Sequence, residues 1–203
     1  MLSRRRCLVT VAMLAAVPAY AQGGDPATPI AALNAGLLAA MKAGRAVPFA
    51  QRAATLRPVV QAAFDLDAIL RSSVGPKFAT LPPADQASLR DAFGRYTVDS
   101  YAGNFDSYGG EIFAILPNPR GVGADRVVAT TLQQSSGAPI RLDYVMRAGS
   151  AGWRAVDVLL DGSISRVAVQ RSDFRALVSG GTAAPLIARL QAKAAVLEAG
   201  SKG

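Results

Sequence analysis

Histidine is absent from the chain, and cysteine occurs once, at position 7. Without histidine the chain cannot form a Ser-His-Asp triad or a histidine metal site. Cys7 lies in an N-terminal segment that we expect to be removed, so thiol catalysis and disulfide bonds are also excluded from the mature protein. Only four lysines are present, and none lies in a motif typical of a Ser-Lys dyad. Phosphate-binding glycine loops of the recognised patterns are missing too. Few catalytic chemistries remain open.

The first 21 residues have the three parts of a secretory signal peptide. Arg4–Arg6 form a basic start, an apolar run from Cys7 to Val17 follows, and Ala19-Tyr20-Ala21 is a small-residue cleavage site. The apolar run is shorter than the roughly 20 residues that a membrane-spanning helix needs. We therefore expect cleavage before Gln22 and an exported mature protein.

Basic residues outnumber acidic ones, 22 Lys and Arg against 14 Asp and Glu, which gives a formal net charge of +8. Removal of the three N-terminal arginines leaves +5, by subtraction of 3 from 8. A diffuse positive charge suits anionic membranes and acidic partners, and it equally fits an ordinary solvated surface. No basic run carries the interleaved aromatic residues of a nucleic-acid site. We expect no nucleic-acid partner.

The chain between residues 22 and 108 is patterned as helices, because its apolar residues recur at helical spacing. The predicted helices cover residues 29–44, 48–63, 65–75 and 84–107. Asp65 is the expected N-cap of the third helix. The fourth helix carries large apolar residues on more than one stripe. It therefore either packs on two sides as ordinary core or lines a cavity with one of them.

Beyond residue 110 the apolar period changes to the alternation of strands. The predicted strands are 111–116, 126–134, 140–147 and 153–160, with a loop at 117–123. An Asp161-Gly162 turn follows, and Ser163 is the expected N-cap of a helix that ends at Gly180-Gly181. A final helix is predicted over residues 183–199. Residues 22–203 are thus predicted to form one α+β domain with a twisted antiparallel sheet at 111–160. Helices cover this sheet, and they come from an N-terminal helical subdomain (29–108) and from the C-terminal segment (163–199).

Three segments carry a resemblance to a known family. The strand 153–158, the Asp161-Gly162 turn and the Arg-Ser-Asp-Phe sequence at 171–174 resemble the periplasmic lipid-binding component of the Mla phospholipid-transport system. This MlaC-like family is also known under the name of toluene tolerance. The string from Ile164 to Phe174 is similar to the HpnM branch, which is encoded with hopanoid biosynthesis.

The resemblance implies a curved sheet of the cystatin or NTF2 type and a soluble carrier without catalytic activity, cofactor or metal. It implies that the carrier binds phospholipid or hopanoid and shuttles it between the inner and outer membranes. The implied partners are an inner-membrane ABC transporter complex with its lipid-binding partner protein, and an outer-membrane lipoprotein complex. We expect a monomer.

An apolar carrier is physically reasonable, because exposing the roughly thirty methylenes of a diacyl lipid to water costs on the order of 20 kcal/mol at about 0.8 kcal/mol each. Leu142, Tyr144 and Met146 alternate along one predicted strand, and Val156, Val158 and Leu160 share a face of the next. Together with residues of the long helix they form the predicted lipid-binding set: Tyr96, Tyr101, Phe105, Leu142, Tyr144, Met146, Val156, Val158 and Leu160. Taken one at a time, these residues are better explained by ordinary core packing, and it is as a set that they predict a lipid site.

Asp157 supports the rival interpretation, a periplasmic NTF2-like hydrolase or isomerase with a single acid or base in a pocket. Asp161 is a poor second carboxylate, because four residues of strand separate the two groups by about 13 Å at ~3.3 Å per residue. Inverting glycosidases use a separation of roughly 6.5–9.5 Å. Asp157 is otherwise a structural acid, paired by hypothesis with an arginine of the following helix. A third interpretation is a structural subunit that binds no ligand.

Overall fold

In a computed structural model, the chain is described over residues 24–178 and 180–200. The predicted signal peptide, residues 1–21, lies outside these ranges. Seven α-helices and six strands occur in the described part, with helices first, the sheet next and helices last. The helices are α1 (Thr28–Ala43), α2 (Phe49–Ala63), α3 (Leu66–Val74), α4 (Lys77–Thr80), α5 (Pro83–Asn104), α6 (Arg166–Arg175) and α7 (Ala184–Gly200). The strands are β1 (Ile112–Ile115), β2 (Arg120–Val122), β3 (Asp125–Gln133), β4 (Ile140–Gly149), β5 (Gly152–Leu160) and β6 (Ile164–Ser165).

Local sequence signals explain where the N-terminal helices begin. Pro29 occupies the first turn of α1, where a missing N–H costs nothing. The carboxylate of Asp65 accepts a hydrogen bond from the amide of Ala68 at 2.9 Å, so the predicted N-cap of α3 is confirmed. The longest helix, α5, ends at Asn104, three residues before the predicted end. The four predicted helices therefore match α1, α2, α3 and α5 to within a few residues at each boundary, and the short helix α4 was not predicted.

The sheet is antiparallel, with the strand order β1-β3-β4-β5-β6 and with β2 paired to β3 beside β1. Strand β2 lies in the stretch 117–123 that the sequence predicted to be a loop, and it pairs Arg120 with Val127. Its side chains are exposed, so no apolar alternation marks it. The predicted α+β class with an antiparallel sheet is confirmed, and the sheet has more strands than the four predicted.

A bulge interrupts the pairing of β4 with β5. Val145 lies opposite Asp157 and Met146 lies opposite Ala155, so Val156 has no partner in β4. An extra residue of this kind breaks the alternation of faces along the strand. The prediction that Val156 shares one face with Val158 and Leu160 is therefore wrong.

The segment after β5 also differs from the prediction. Asp161 and Gly162 both have positive φ, 51° and 72°, and make a tight hairpin turn into the two-residue strand β6. The helix begins only after this strand. Its N-cap is Ser165, whose hydroxyl accepts from the amide of Ala168 at 2.9 Å, and not Ser163. Helix α6 ends at Arg175, before the predicted Gly180-Gly181 end.

The core forms between the inner face of the sheet and the helices. Phe93 of α5 meets Phe174 of α6 edge to face at 6.4 Å, which joins the long helix to the C-terminal segment. Asp85 near the start of α5 accepts from the Thr182 hydroxyl at 3.0 Å and from the Ala183 amide at 2.8 Å, which holds the beginning of α7. None of the helices in the described ranges is both long and apolar enough to cross a membrane.

Candidate functional site

A cavity of about 250 Å³ lies between α5, the start of α6 and the inner face of the sheet. Most of its wall is aliphatic or aromatic: Leu37, Phe64, Leu66, Ile69, Phe93, Tyr96, Tyr101, Phe105, Phe113, Leu142, Tyr144, Val158, Leu160 and Val167. The remaining lining residues are polar or charged: Thr97, Ser100, Asn104, Asp157, Arg166 and Gln170. Of all these residues only Asn104 and Arg166 are exposed, so the cavity opens between the end of α5 and the start of α6.

The floor of the cavity comes from the alternation of β4 and β5. Leu142 lies opposite Leu160, and Tyr144 lies opposite Val158, in the ladder that joins the two strands. Residues opposite each other in an antiparallel ladder point to the same face. Four large apolar side chains therefore form one continuous patch of the sheet's inner face.

Helix α5 forms the opposite wall and carries hydroxyl groups as well as rings. The Thr97 hydroxyl donates to the Phe93 carbonyl at 2.8 Å, and the Ser100 hydroxyl donates to the Tyr96 carbonyl at 2.7 Å. Each hydroxyl is thus hydrogen-bonded within its own helix. These polar side chains place no unsatisfied donor against an apolar ligand.

A chain of aromatic rings runs through the site. The centroid of Phe64 lies 5.7 Å from that of Tyr101 and 6.1 Å from that of Tyr144. Phe105 stacks on Tyr101 at 5.9 Å and approaches Phe113 at 6.0 Å. Rings at these separations attract one another beyond their burial alone. They link α3, α5, β1 and β4 into one wall.

The hydroxyl groups of Tyr101 and Tyr144 are unusual, because neither bonds to any residue in the described ranges. Burial raises the pKa of Tyr144 from 10.0 to about 12. Burial, together with the nearby Tyr144, also raises the pKa of Tyr101 well above its ordinary value, and the charge of Arg166 opposes this shift. Both side chains therefore remain neutral hydrogen-bond donors at physiological pH.

The carboxylate of Asp157 reaches the cavity wall but is fully engaged. One oxygen accepts from the amides of Val158 at 2.7 Å and Val167 at 3.1 Å, and the other accepts from the Ser165 hydroxyl at 2.5 Å. The hypothesis of an arginine partner is wrong, because two backbone amides and a serine supply the hydrogen bonds. They join β5 to the start of α6, as expected of a structural acid.

Arg166 is the cationic residue of the cavity wall. It is exposed, and it makes no ion pair with an acidic residue of the described chain. A second, shallower groove continues from the same strip of α5, since Tyr96, Ser100 and Asn104 line both. Three residues of α7 line this second groove: Arg189, Lys193 and Val196. Positive charge therefore borders both the cavity and the adjoining groove.

The model of the MlaC protein family matches residues 32–192 of the chain. The chain belongs to the MlaC family. A phospholipid-binding protein from Ralstonia solanacearum, solved in complex with a phospholipid, has the same fold with a TM-score of 0.72. It is 22% identical in sequence, and the alignment covers 85% of this chain and 98% of that one. No curated protein matches the chain in sequence.

Membership of the MlaC family confirms the resemblance noted at residues 153–174. The narrower HpnM assignment stays a prediction.

The described residues contain no group of three or more acidic, histidine or cysteine side chains that would hold a metal ion.

The structure brings together seven of the nine residues of the predicted lipid-binding set. These seven line the cavity: Tyr96, Tyr101, Phe105, Leu142, Tyr144, Val158 and Leu160. Met146 and Val156 do not line it, although both are buried. The bulge places Met146 opposite Ala155, the residue with which Phe64, just before α3, forms a β-bridge. Lipid contact by any of these residues stays a prediction.

Sequence reasoning missed several walls of the cavity. Phe113 alternates with its neighbours along β1 and was open to prediction from that pattern. Leu66 and Ile69 belong to α3, and Phe64 lies between α2 and α3. The position of this segment over the cavity depends on the hydrogen bond from the Asp65 amide to the Ala155 carbonyl at 2.9 Å. No local pattern indicates a contact between residues this far apart in sequence.

Proposed function

We propose that this protein is a lipid carrier that holds the acyl tails of a lipid in the cavity between α5, α6 and the sheet. The observation that carries the proposal is the lining of this cavity, in which fourteen of the twenty residues are aliphatic or aromatic and the one cation, Arg166, is exposed at the opening. Apolar tails gain roughly 25 cal/mol for each Å² removed from water. The single acid of the wall, Asp157, is occupied by its own hydrogen bonds and is not poised for catalysis.

The volume of the cavity bears on how a lipid enters. At about 250 Å³ it lies just below the roughly 300–1,000 Å³ of typical small-molecule pockets. Two long acyl chains need more room than this. We therefore expect the helices that cover the sheet to move outward when lipid binds, so that the cavity is narrower in the lipid-free state than in the lipid-bound state.

The headgroup is expected at the opening, in contact with water. Arg166 at the cavity, and Arg189 and Lys193 at the adjoining groove, suit a phosphate group there. Phospholipid is the first candidate ligand, supported by the cationic opening and by the phospholipid bound to the Ralstonia protein of the same fold. Hopanoid is the second candidate and is supported by the HpnM-like sequence at residues 164–174.

The proposed setting is the periplasm, on the basis of the predicted signal peptide and the membership of the MlaC family. There the carrier would move lipid between an inner-membrane ABC transporter complex and an outer-membrane lipoprotein complex. It would act without chemistry on its ligand and without a cofactor. A monomer satisfies this role, because the cavity is built by one chain.

A cavity-filling substitution tests the proposal. Val158→Phe places a ring in the cavity floor, and Val169→Phe makes the same change on the exposed surface of α6 outside the cavity. Uptake of a fluorescent phospholipid from vesicles is measured for both variants at matched helix content by circular dichroism. We expect the Val158 variant to lose most of its uptake and the Val169 variant to retain it. Equal uptake by the two variants would place the ligand elsewhere.

A further inference from the structure

The hydroxyl groups of Tyr101 and Tyr144 belong to a mostly apolar part of the cavity wall, in which both rings pack against Phe64. Tyr144 is only 3% exposed, yet its hydroxyl has no hydrogen-bond partner in the described part of the chain. Neither hydroxyl belongs to the polar atoms of the described residues that are sealed inside the protein without a partner. Both side chains line the cavity, which leaves room beside the rings for a ligand or water to reach the hydroxyls. A buried donor without a protein partner is costly unless a ligand or water bonds to it.

We propose that Tyr101 and Tyr144 form a hydrogen-bonding subsite inside the cavity that receives an acyl carbonyl oxygen of the bound lipid. This inference rests on the proposed lipid-carrier function and deepens it. It assigns the two tyrosines a role in choosing acylated lipids over lipids whose apolar body has no carbonyl.

The surroundings of the two hydroxyls are mostly apolar, and the one cation that acts on either of them is Arg166, whose charge reaches Tyr101. Phe64 packs against both rings, and Leu142 and Val158 flank Tyr144 on the sheet. Burying an ionised phosphate among these groups without a counter-ion costs far more than one or two neutral hydrogen bonds return. Arg166, the cation of the wall, stands at the opening. A neutral acceptor therefore fits the interior, and an anionic group fits the opening.

Lipid chemistry supplies one neutral acceptor next to the aliphatic chains, the carbonyl oxygen of the acyl ester or amide. A tyrosine hydroxyl donates to such an oxygen readily. Both tyrosines keep their protons at physiological pH, because burial raises the pKa of each. The ring body of a polycyclic hydrocarbon and the chains of an ether lipid offer no carbonyl. The subsite thus distinguishes lipids by the linkage of their chains.

Ester and ether lipids with one headgroup and one chain length isolate this interaction. The probes are dioctanoyl phosphatidylglycerol and its dioctyl ether analogue, each titrated against the purified protein by displacement of a fluorescent lipid. The variants are the double substitution Tyr101→Phe with Tyr144→Phe, and the control Tyr108→Phe, whose hydroxyl lies outside the cavity on an exposed residue. Melting curves confirm that each variant is folded.

We expect the unsubstituted protein and the Tyr108 variant to bind the ester roughly three- to tenfold more tightly than the ether, the range of one net hydrogen bond. The double variant is expected to bind both lipids equally, at the ether affinity. Equal binding of the two lipids by the unsubstituted protein, or a preference that survives in the double variant, would overturn the subsite and leave the carrier function standing. If the unsubstituted protein binds neither these two lipids nor the fluorescent lipid, the carrier function fails as well.

Discussion

We predict that replacement of Asp157 by alanine destabilises the folded protein, because the role of this carboxylate is structural and not catalytic. The substitution removes three hydrogen-bond acceptances, two from the amides of Val158 and Val167 and one from the Ser165 hydroxyl. At about 1 kcal/mol each, the loss is roughly 3 kcal/mol of unfolding free energy. For a chain of this size a loss of 1 kcal/mol lowers the melting temperature by about 2–4 °C. We therefore expect the melting temperature of the variant to fall by roughly 6–12 °C, measured by calorimetry.

The matched variant Asp157→Asn separates a structural role from a chemical one. Its amide oxygen can still accept from the Val158 and Val167 amides, and its amide nitrogen can donate to the Ser165 hydroxyl. Only the charge-assisted part of the hydrogen bonds is lost, which we expect to cost roughly 1 kcal/mol. Lipid binding should be unchanged. An asparagine variant that melts like the unsubstituted protein but loses a hydrolytic or isomerase activity would refute this reasoning and favour the enzyme interpretation.

Three further predictions concern charge and titration. The free energy of unfolding should fall between pH 10 and about pH 12, because the raised pKa of Tyr144 makes its ionisation costly in the folded state only. The variant Tyr144→Phe should remove roughly 3 kcal/mol of this loss, measured by unfolding curves at alkaline pH. Arg166→Gln should weaken binding of an anionic phospholipid about two- to fivefold, with a smaller dependence on salt, and should leave a neutral lipid unaffected in the same titration. Asp85→Ala should cost about 1–2 kcal/mol and speed amide exchange at the start of α7, because Thr182 and Ala183 lose their acceptor; unchanged exchange there would contradict the assigned contact.

The elements that the sequence predicts well are those set by local chemistry. Proline or an acidic cap stands at the start of each of the helices α1 to α3, and glycine stands just after the end of α1 and of α3, at Gly44 and Gly75. The clean alternation from Ile140 onward predicts β4 and the placement of Leu142 and Tyr144 on one face. These two residues line the cavity as expected. Short-range patterns therefore suffice for the fold class and for most of the predicted site.

The errors occur where pairing between distant segments decides the outcome. The bulge opposite Val145 turns Val156 out of the predicted face, and nothing within β5 marks it. Ser163 and Ser165 are equally good caps by type, and the hairpin turn at Asp161 chooses Ser165 by extending the chain into β6. The position of Phe64 over the cavity follows from its bridge to Ala155. Long-range contacts of this kind are not encoded in local periodicity.

Native mass spectrometry of the protein, expressed with its own N-terminal segment and purified from the periplasmic fraction without detergent, tests whether it carries lipid. The intact mass reports whether the chain is cleaved before Gln22, and organic extraction identifies any bound molecule. We predict a cleaved chain with one lipid bound, released as a phospholipid or a hopanoid. A protein that is recovered empty and takes up neither lipid from vesicles would contradict the carrier function.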